Sequence, residues 1–226
     1  MDYGSDSPRR WRLYRAMTMS KELVILGAGG FAAEVIEAAE IAGWVVTGLY
    51  DDAPDALGRK ILGHTCLGTL VDFTRASKTS FVFAIGNNEV RQKVAAEMEL
   101  HGHEPTTVIH PSAVVSRSAI VMPGAFVGAT AFVGPQARIG RHVIVNVGSS
   151  IGHDAFVGDF SQLCPGARVS GLSVLEVGAF MGSNAVLGPG GRMEQWSKLG
   201  SSSFAPRLVP AHSLAVGVPA RVVSAY

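Results

Sequence analysis

Residues 126–145 read FVGATAFVGPQARIGRHVIV, and this stretch decides the fold. Val127, Val133, Ile139 and Val145 fall six apart, and four places after each comes a small residue or valine: Ala131, Ala137, Val143 and Ser149. Followed outward in both directions, the beat runs unbroken from Ile109 to Leu199 through sixteen aliphatic positions. Glycine often follows the aliphatic, as at Gly128, Gly134, Gly140, Gly152 and Gly158. An α-helix repeats every 3.6 residues and a simple strand every 2, so neither produces this pattern. A β-helix does: short strands meet at corners, the aliphatic points into a narrow prism, and the small residue fits the turn. Three hexads make one turn, so residues 18 apart stack. At the usual spacing of neighbouring strands, roughly five coils give a rod of about 25 Å. A solenoid this short leaves apolar walls and favours association.

Upstream the pattern changes. Lys21 to Leu26 is an apolar strand that runs into Gly27-Ala28-Gly29-Gly30-Phe31-Ala32. A helix follows with Val35, Ile36, Ala39 and Ala42 in phase, then a strand from Trp44 to Tyr50 ending at Asp51-Asp52. Residues 53–68 read as loop, Leu70 to Ala76 as a short helix, and Phe81 to Ile85 as a strand ending at Gly86-Asn87-Asn88. Glu89 to His101 reads as a helix with Val90, Val94 and Met98 in phase. Alternating strands and helices predict a small Rossmann-like α/β domain over 21–105. The β-helix then occupies 106–205, and a tail with Pro206, Pro210 and Pro219, 206–226, caps it or folds back. Residues 1–20 are polar and basic without an apolar stretch, which predicts a disordered leader and no secretory signal.

Composition narrows the function. Net charge is +1, which gives no electrostatic case for nucleic acid or an anionic membrane as partner. Cys66 and Cys164 fall in different domains, so a disulfide scaffold is not expected and a reducing, cytoplasmic setting is. No apolar run is long enough to span a bilayer. The loop Gly27-x-Gly29-x-x-Ala32, between a strand and a helix, offers backbone N–H groups to a phosphate, with Asp51 about twenty residues on. Three readings stay open: NAD, a nucleotide with one or two phosphates, or a packing turn. Too little chain follows for a dehydrogenase, which favours the second. In the rod, His153 stands outward beside Asp154, with Asn146 one corner earlier. An imidazole beside a carboxylate suits a general base; the bland alternative is a solvated corner histidine, the reading preferred for His142. His110, His142 and His153 are too dispersed for a three-histidine zinc site, so no metal is expected.

The hexads, His153-Asp154 and the closing Gly217-Val218-Pro219-Ala220-Arg221 together resemble the hexapeptide-repeat acyltransferases. With Gly27-Ala28-Gly29-Gly30-Phe31, Asp51-Asp52 and Gly86-Asn87-Asn88 added, the chain over about 21–222 looks like the bacterial nucleotide-sugar N-acetyltransferases that make UDP-diacetylbacillosamine and GDP-N-acetylperosamine. Sialic acid O-acetyltransferases are related. The resemblance implies a left-handed parallel β-helix, a homotrimer, and acetyl-CoA as co-substrate without a metal. It implies His153 as base with Asp154 reinforcing it, and the nucleotide-sugar against Gly29, Gly30, Phe31, Asp51, Asp52 and Gly86, with Asn146 near the sugar. Acetyl-CoA would lie between neighbouring rods, touching Gln162, Gly171, Ser183 and Ser201, with a backbone N–H near Gly171 at the oxyanion. The implied reaction is N-acetylation at C4 of a nucleotide-linked amino-dideoxy sugar, GDP-perosamine-like or UDP-linked. The alternatives are O-acetylation of a sugar such as sialic acid, or a β-helix serving only assembly. Some relatives carry histidine where this chain has Phe31 and Gln162.

Overall fold

The computed structural model describes residues 22–225; the leader expected over 1–20 lies outside them. The N-terminal unit is a sheet of six strands, β1 Glu22–Leu26, β2 Val45–Tyr50, β3 Lys60–Ile61, β4 His64–Gly68, β5 Ser80–Phe83 and β6 Glu104–Pro105, in the order β3-β4-β2-β1-β5-β6. All pairings are parallel except the β3–β4 hairpin. The segment read as loop over 53–68 therefore contains two strands, one of them in the parallel sheet. Their shortness, beside Gly63 and Gly68, hid the period-2 signal.

Helix α1, Phe31–Ile41, is rich in alanine and buries Ala32, Val35, Ile36, Ala38 and Ala39. Ala42, expected on that face, caps the helix and is exposed. Helices α2, Leu70–Thr74, and α3, Asn88–Leu100, join the core on the other face of the sheet, through Leu70, Phe73, Ala95 and Met98. In α3 the buried residues are Asn88, Arg91, Ala95 and Met98, while Val90 is exposed. Met98 is buried as expected and Val94 is partly buried against the core, but Arg91 and Ala95 take the inner place expected of Val90.

From Val108 the chain winds into a three-sided parallel β-helix. Strands 18 residues apart pair in register, as Phe126 with Ile144, Phe132 with Ser150, and Arg138 with Phe156. The second and third sheets each hold six parallel strands, so there are six coils where five were expected. The aliphatic column is the core: Val127, Val133, Ile139, Val145 and their successors are at most 2% exposed through Ala205. The phase therefore continues past Leu199, where it was expected to fail, with alanine in the aliphatic place. The last coil is then shortened, with Met193 pairing Val209 and Leu199 pairing Ala215, a step of 16 in place of 18. The strand Ser213–Gly217 closes the coil, and Ala220–Ala225 folds back antiparallel upon it.

The two units are packed together. Val108, Phe126 and Ile144, which point outward from the first sheet, share a buried cluster with α1. Phe31 meets Phe126 edge-on with ring centroids 5.3 Å apart. Among the described residues the N-terminal unit thus covers the first sheet and leaves the second and third bare. Among the described residues no helix is long and apolar enough to cross a membrane.

Candidate active site

Most corners of the prism turn in four residues, and from the second coil on the third takes left-handed backbone. At the corner between the second and third sheets this residue is Gln136 (φ 60°), Asp154 (φ 57°) and Leu172 (φ 61°) in successive coils. Aspartate enters this region more readily than most residues. His153, just before it, projects outward with 61% of its side chain exposed. Its Nδ1 donates to Asp154 Oδ2 at 2.8 Å. A carboxylate only accepts, so Nδ1 carries a proton, and in the neutral imidazole Nε2 is then the acceptor. One coil above lies Gly171, where an added Cβ would stand 2.5 Å from His153 Nε2. Only glycine leaves the imidazole its place. The Gly171 N–H has no partner among the described residues, so the acceptor nitrogen of the neutral imidazole and the residue with a free donor pack against each other. Such a pair can take a proton and stabilise a developing oxyanion.

The second group of expected residues gathers at the carboxyl edge of the N-terminal sheet. Gly27 (φ +114°) starts the loop there, and a Cβ on it would meet the Ala84 backbone at 2.9 Å. Gly29 and Gly30 face open space, and α1 begins at Gly30 with no side-chain cap. Asp51 accepts from Ala28 N–H at 2.6 Å and from Ala53 N–H at 2.7 Å. Asp52 accepts from Leu70 N–H at 2.8 Å, at the start of α2. What these carboxylates contribute first is shape: they tie the loops of the crevice to one another. Sequence reading passed over Arg59, whose Nη1 donates to Ala28 O at 3.0 Å. Its only signal was being the one basic residue in the segment 51–59.

The remaining residues lie on or beside the first sheet. Gln162 points outward from it beneath Gly86; its Nε2 would be 4.0 Å from a Cβ there. Asn146, Ser183 and Ser201 lie at the corner between the first and second sheets. Asn146 Oδ1 accepts from Val147 N–H at 2.6 Å, and Ser202 N–H donates to Ser183 O at 2.8 Å, so the serines stack. Near Asn146 a cleft of about 220 Å³ opens between α1 and this corner, lined by Glu34, His110, Phe126 and Val147. Burial raises the Glu34 carboxyl above its ordinary range. Within one chain, therefore, His153 and the nucleotide crevice occupy different corners, with the strand Ser150–Ile151 between Asn146 and His153.

His142 departs from the expected solvated corner histidine. It is 1% exposed, donates from Nε2 to Glu99 Oε1 at 2.9 Å, and stacks on Phe160 at 5.1 Å. Burial lowers its pKa, against the opposing pull of Glu99. Arg91 is fully buried nearby and donates to the carbonyls of His142, Ile85 and Phe160 and to Asn88 Oδ1. Burial brings its pKa down to about 9, so it remains a cation at neutral pH. No group of three or more His, Cys, Asp or Glu side chains among the described residues could hold a metal ion.

Comparison with known proteins agrees with this architecture. Residues 22–98 match the family described as the PglD N-terminal domain. A perosamine N-acetyltransferase from Caulobacter crescentus, solved with CoA and GDP-perosamine, is 31% identical, with TM-score 0.85 over 90% of this chain and 97% of that one. The acetyltransferase domain of PglB from Neisseria gonorrhoeae, solved with acetyl coenzyme A, is 26% identical, with TM-score 0.84 over 90% of this chain and 99% of that one. GDP-perosamine N-acetyltransferase from Escherichia coli O157:H7 is 34% identical over 92 residues, 40% of this chain and 41% of that protein.

Proposed function

The chain belongs to the left-handed β-helical hexapeptide-repeat nucleotide-sugar N-acetyltransferases, and we propose that it moves acetyl from acetyl-CoA to the C4 amine of a nucleotide-linked amino-dideoxy sugar. The observation that carries this reading is His153, with Nδ1 bound to Asp154 and Nε2 free beside the unpartnered N–H of Gly171. The amine nitrogen attacks the thioester carbon as the carbonyl π pair moves to oxygen, near the Gly171 N–H. His153 Nε2 takes the proton from nitrogen. The oxygen pair then re-forms the carbonyl as the carbon–sulfur bond breaks, its electron pair leaves with sulfur, and the thiolate takes up the proton from His153. A GDP-perosamine-like acceptor is favoured, because the relatives from Caulobacter crescentus and Escherichia coli O157:H7, 31% and 34% identical, are perosamine enzymes.

The catalytic unit in this reading is a homotrimer, with each centre built from two copies. One supplies the crevice at Gly29, Gly30, Phe31 and Gly86 with Asn146, and its neighbour supplies His153, Asp154 and Gly171. Two features support it: those groups lie on different corners of one rod, and the bare sheets carry exposed Val114 (60%), Phe132 (41%) and Phe156 (42%). Acetyl-CoA lies between rods, past Ser183 and Ser201, and the enzyme works in the cytoplasm. The test is a panel of UDP- and GDP-linked amino sugars with acetyl-CoA and a thiol-detecting dye. Release of CoA thiol with an amino sugar and none with its hydroxyl counterpart is the expected result. Release only with hydroxyl sugars would make the enzyme an O-acetyltransferase, and no release with any sugar would defeat the reading.

A further inference from the structure

The cleft of about 220 Å³ between α1 and the first corner is lined by two carboxylates, Glu34 and Glu37, and by no lysine or arginine. The two lie one turn apart on α1, a spacing at which like charges repel. Neither has an ion-pair partner among the described residues. Partial burial raises the Glu34 carboxyl, and no cation offsets it. The rest of the wall, with Ala38, Phe126 and Val147, is apolar and suits the methylene stem of a long basic side chain. At the corner between the second and third sheets stands Arg117, exposed and likewise without an ion-pair partner among the described residues.

The heights of these groups match. Val114, Phe132 and Ser150 pair in succession, so Arg117 lies two coils below His153. Val108, Phe126 and Ile144 do the same, so His110 lies two coils below Asn146. At the usual strand spacing both steps are about 10 Å. The cleft runs between the level of His110 and that of Val147, next to Asn146. In a closed ring of three parallel rods the symmetry operation changes no height. A neighbour that brings His153 to Asn146 therefore brings its own Arg117 to the foot of the cleft.

We propose that the cleft is a socket for Arg117 of the adjacent copy, whose guanidinium pairs with Glu34 and Glu37. The proposal rests on the homotrimer reading and says what fixes the subunits in it. The exposed valines and phenylalanines of the bare sheets favour association but tolerate sliding along the rod. A charge in a socket does not, and charge complementarity sets register more than affinity. Held at the foot, two coils away from the chemistry, the rods keep His153 level with the acceptor sugar near Asn146 of the other copy. Arg117 is in this sense a positioning residue, acting on the reaction through the height of His153.

Light scattering and acetyl transfer by the full-length enzyme test this together. Arg117→Glu sets like charges against one another. It raises the concentration at which the trimer half-dissociates by about tenfold or more and lowers kcat about tenfold. Combining Arg117→Glu with Glu34→Arg or with Glu37→Arg re-forms the pair in reverse. At least one of these swaps returns both readings to within about threefold of wild type. For a trimer too tight to dissociate on dilution, Arg117→Cys with Glu37→Cys, treated with a short bis-maleimide, gives covalent dimers and trimers that neither variant gives alone. A wild-type trimer in which no swap restores anything, or in which the paired cysteines do not link, would overturn the proposal. So would Glu34→Gln raising KM for the amino sugar with the trimer unchanged, since the cleft would then hold substrate. A wild-type enzyme that is an active monomer would remove the homotrimer reading and this inference with it.

Discussion

Two corners of one prism carry histidines less than two hexads apart and use them in opposite ways. At the corner covered by α3, His142 is itself the left-handed residue (φ 54°), buried and stacked between phenylalanines, with Arg91 drawing on the carbonyls around it. At the bare corner, His153 precedes the left-handed residue, which is Asp154, and stands in solvent with Nε2 open. The backbone turn is nearly the same. What differs is one step in register and the presence of a neighbouring domain. Shifted by one residue, an imidazole changes from lying along the column to projecting beside it. Covered by a helix, it becomes part of a seal, and left bare it becomes available for chemistry.

The difference can be broken most sharply at the bare corner. His153→Asn lowers kcat by about 10² to 10⁴, the range for losing a general base, while thermal unfolding hardly moves because no buried contact is lost. A variant with near wild-type kcat would erase the distinction between the corners. At the covered corner the outcome reverses. Arg91→Met leaves several buried carbonyls without a donor and lowers stability by about 3 kcal/mol, measured by urea unfolding, and the folded fraction keeps its kcat. A large loss of kcat with unchanged stability would place Arg91 in the chemistry instead.

Gly171→Ala sharpens the contrast within the bare corner. The added methyl would fall 2.5 Å from His153 Nε2, so the ring must swing away, and kcat falls about ten- to a hundredfold. Stability changes little, since the ring is free to move into solvent. The smallest effect concerns pH. Burial lowers the His142 pKa from its ordinary 6.5, so below about pH 6.5 the unfolded chain binds a proton that the folded one resists. Stability from this group is complete above 6.5 and is lost as pH falls from there toward the lowered folded value. His142→Gln flattens the pH dependence of the unfolding free energy over that window, against a wild-type slope of at most about 1.4 kcal/mol per pH unit for one proton. An unchanged slope would mean that His142 titrates as an exposed group.

Much of this was legible in the sequence. The six-residue beat dictates a prism because each aliphatic has only one inward place per strand, and Val127 through Leu199 are buried as that rule requires. The glycine loop, the aspartate pair and His153-Asp154 were also visible, since each is local. The strand His64–Gly68 was not, being too short and too polar to show alternation. The inner face of α3 was read correctly at Met98 but not at Val90, because Arg91 and Asn88 are buried by carbonyls presented 51 and 90 residues away in the chain.

The sequence by itself determined the two architectures, their order, and the pairing of an outward histidine with the next aspartate, because all of these follow from periodicity and nearest neighbours. Only the tertiary structure decided which sheet of the prism the N-terminal unit covers. That choice buries His142, leaves His153 bare, and sets Gln162 under Gly86 with an amide oxygen unpaired. The physical reason is that a hexad repeat makes three nearly equivalent faces. Which one is sealed depends on contacts between residues far apart in the chain, such as Phe31 with Phe126 and Arg91 with Phe160, and no local pattern records them.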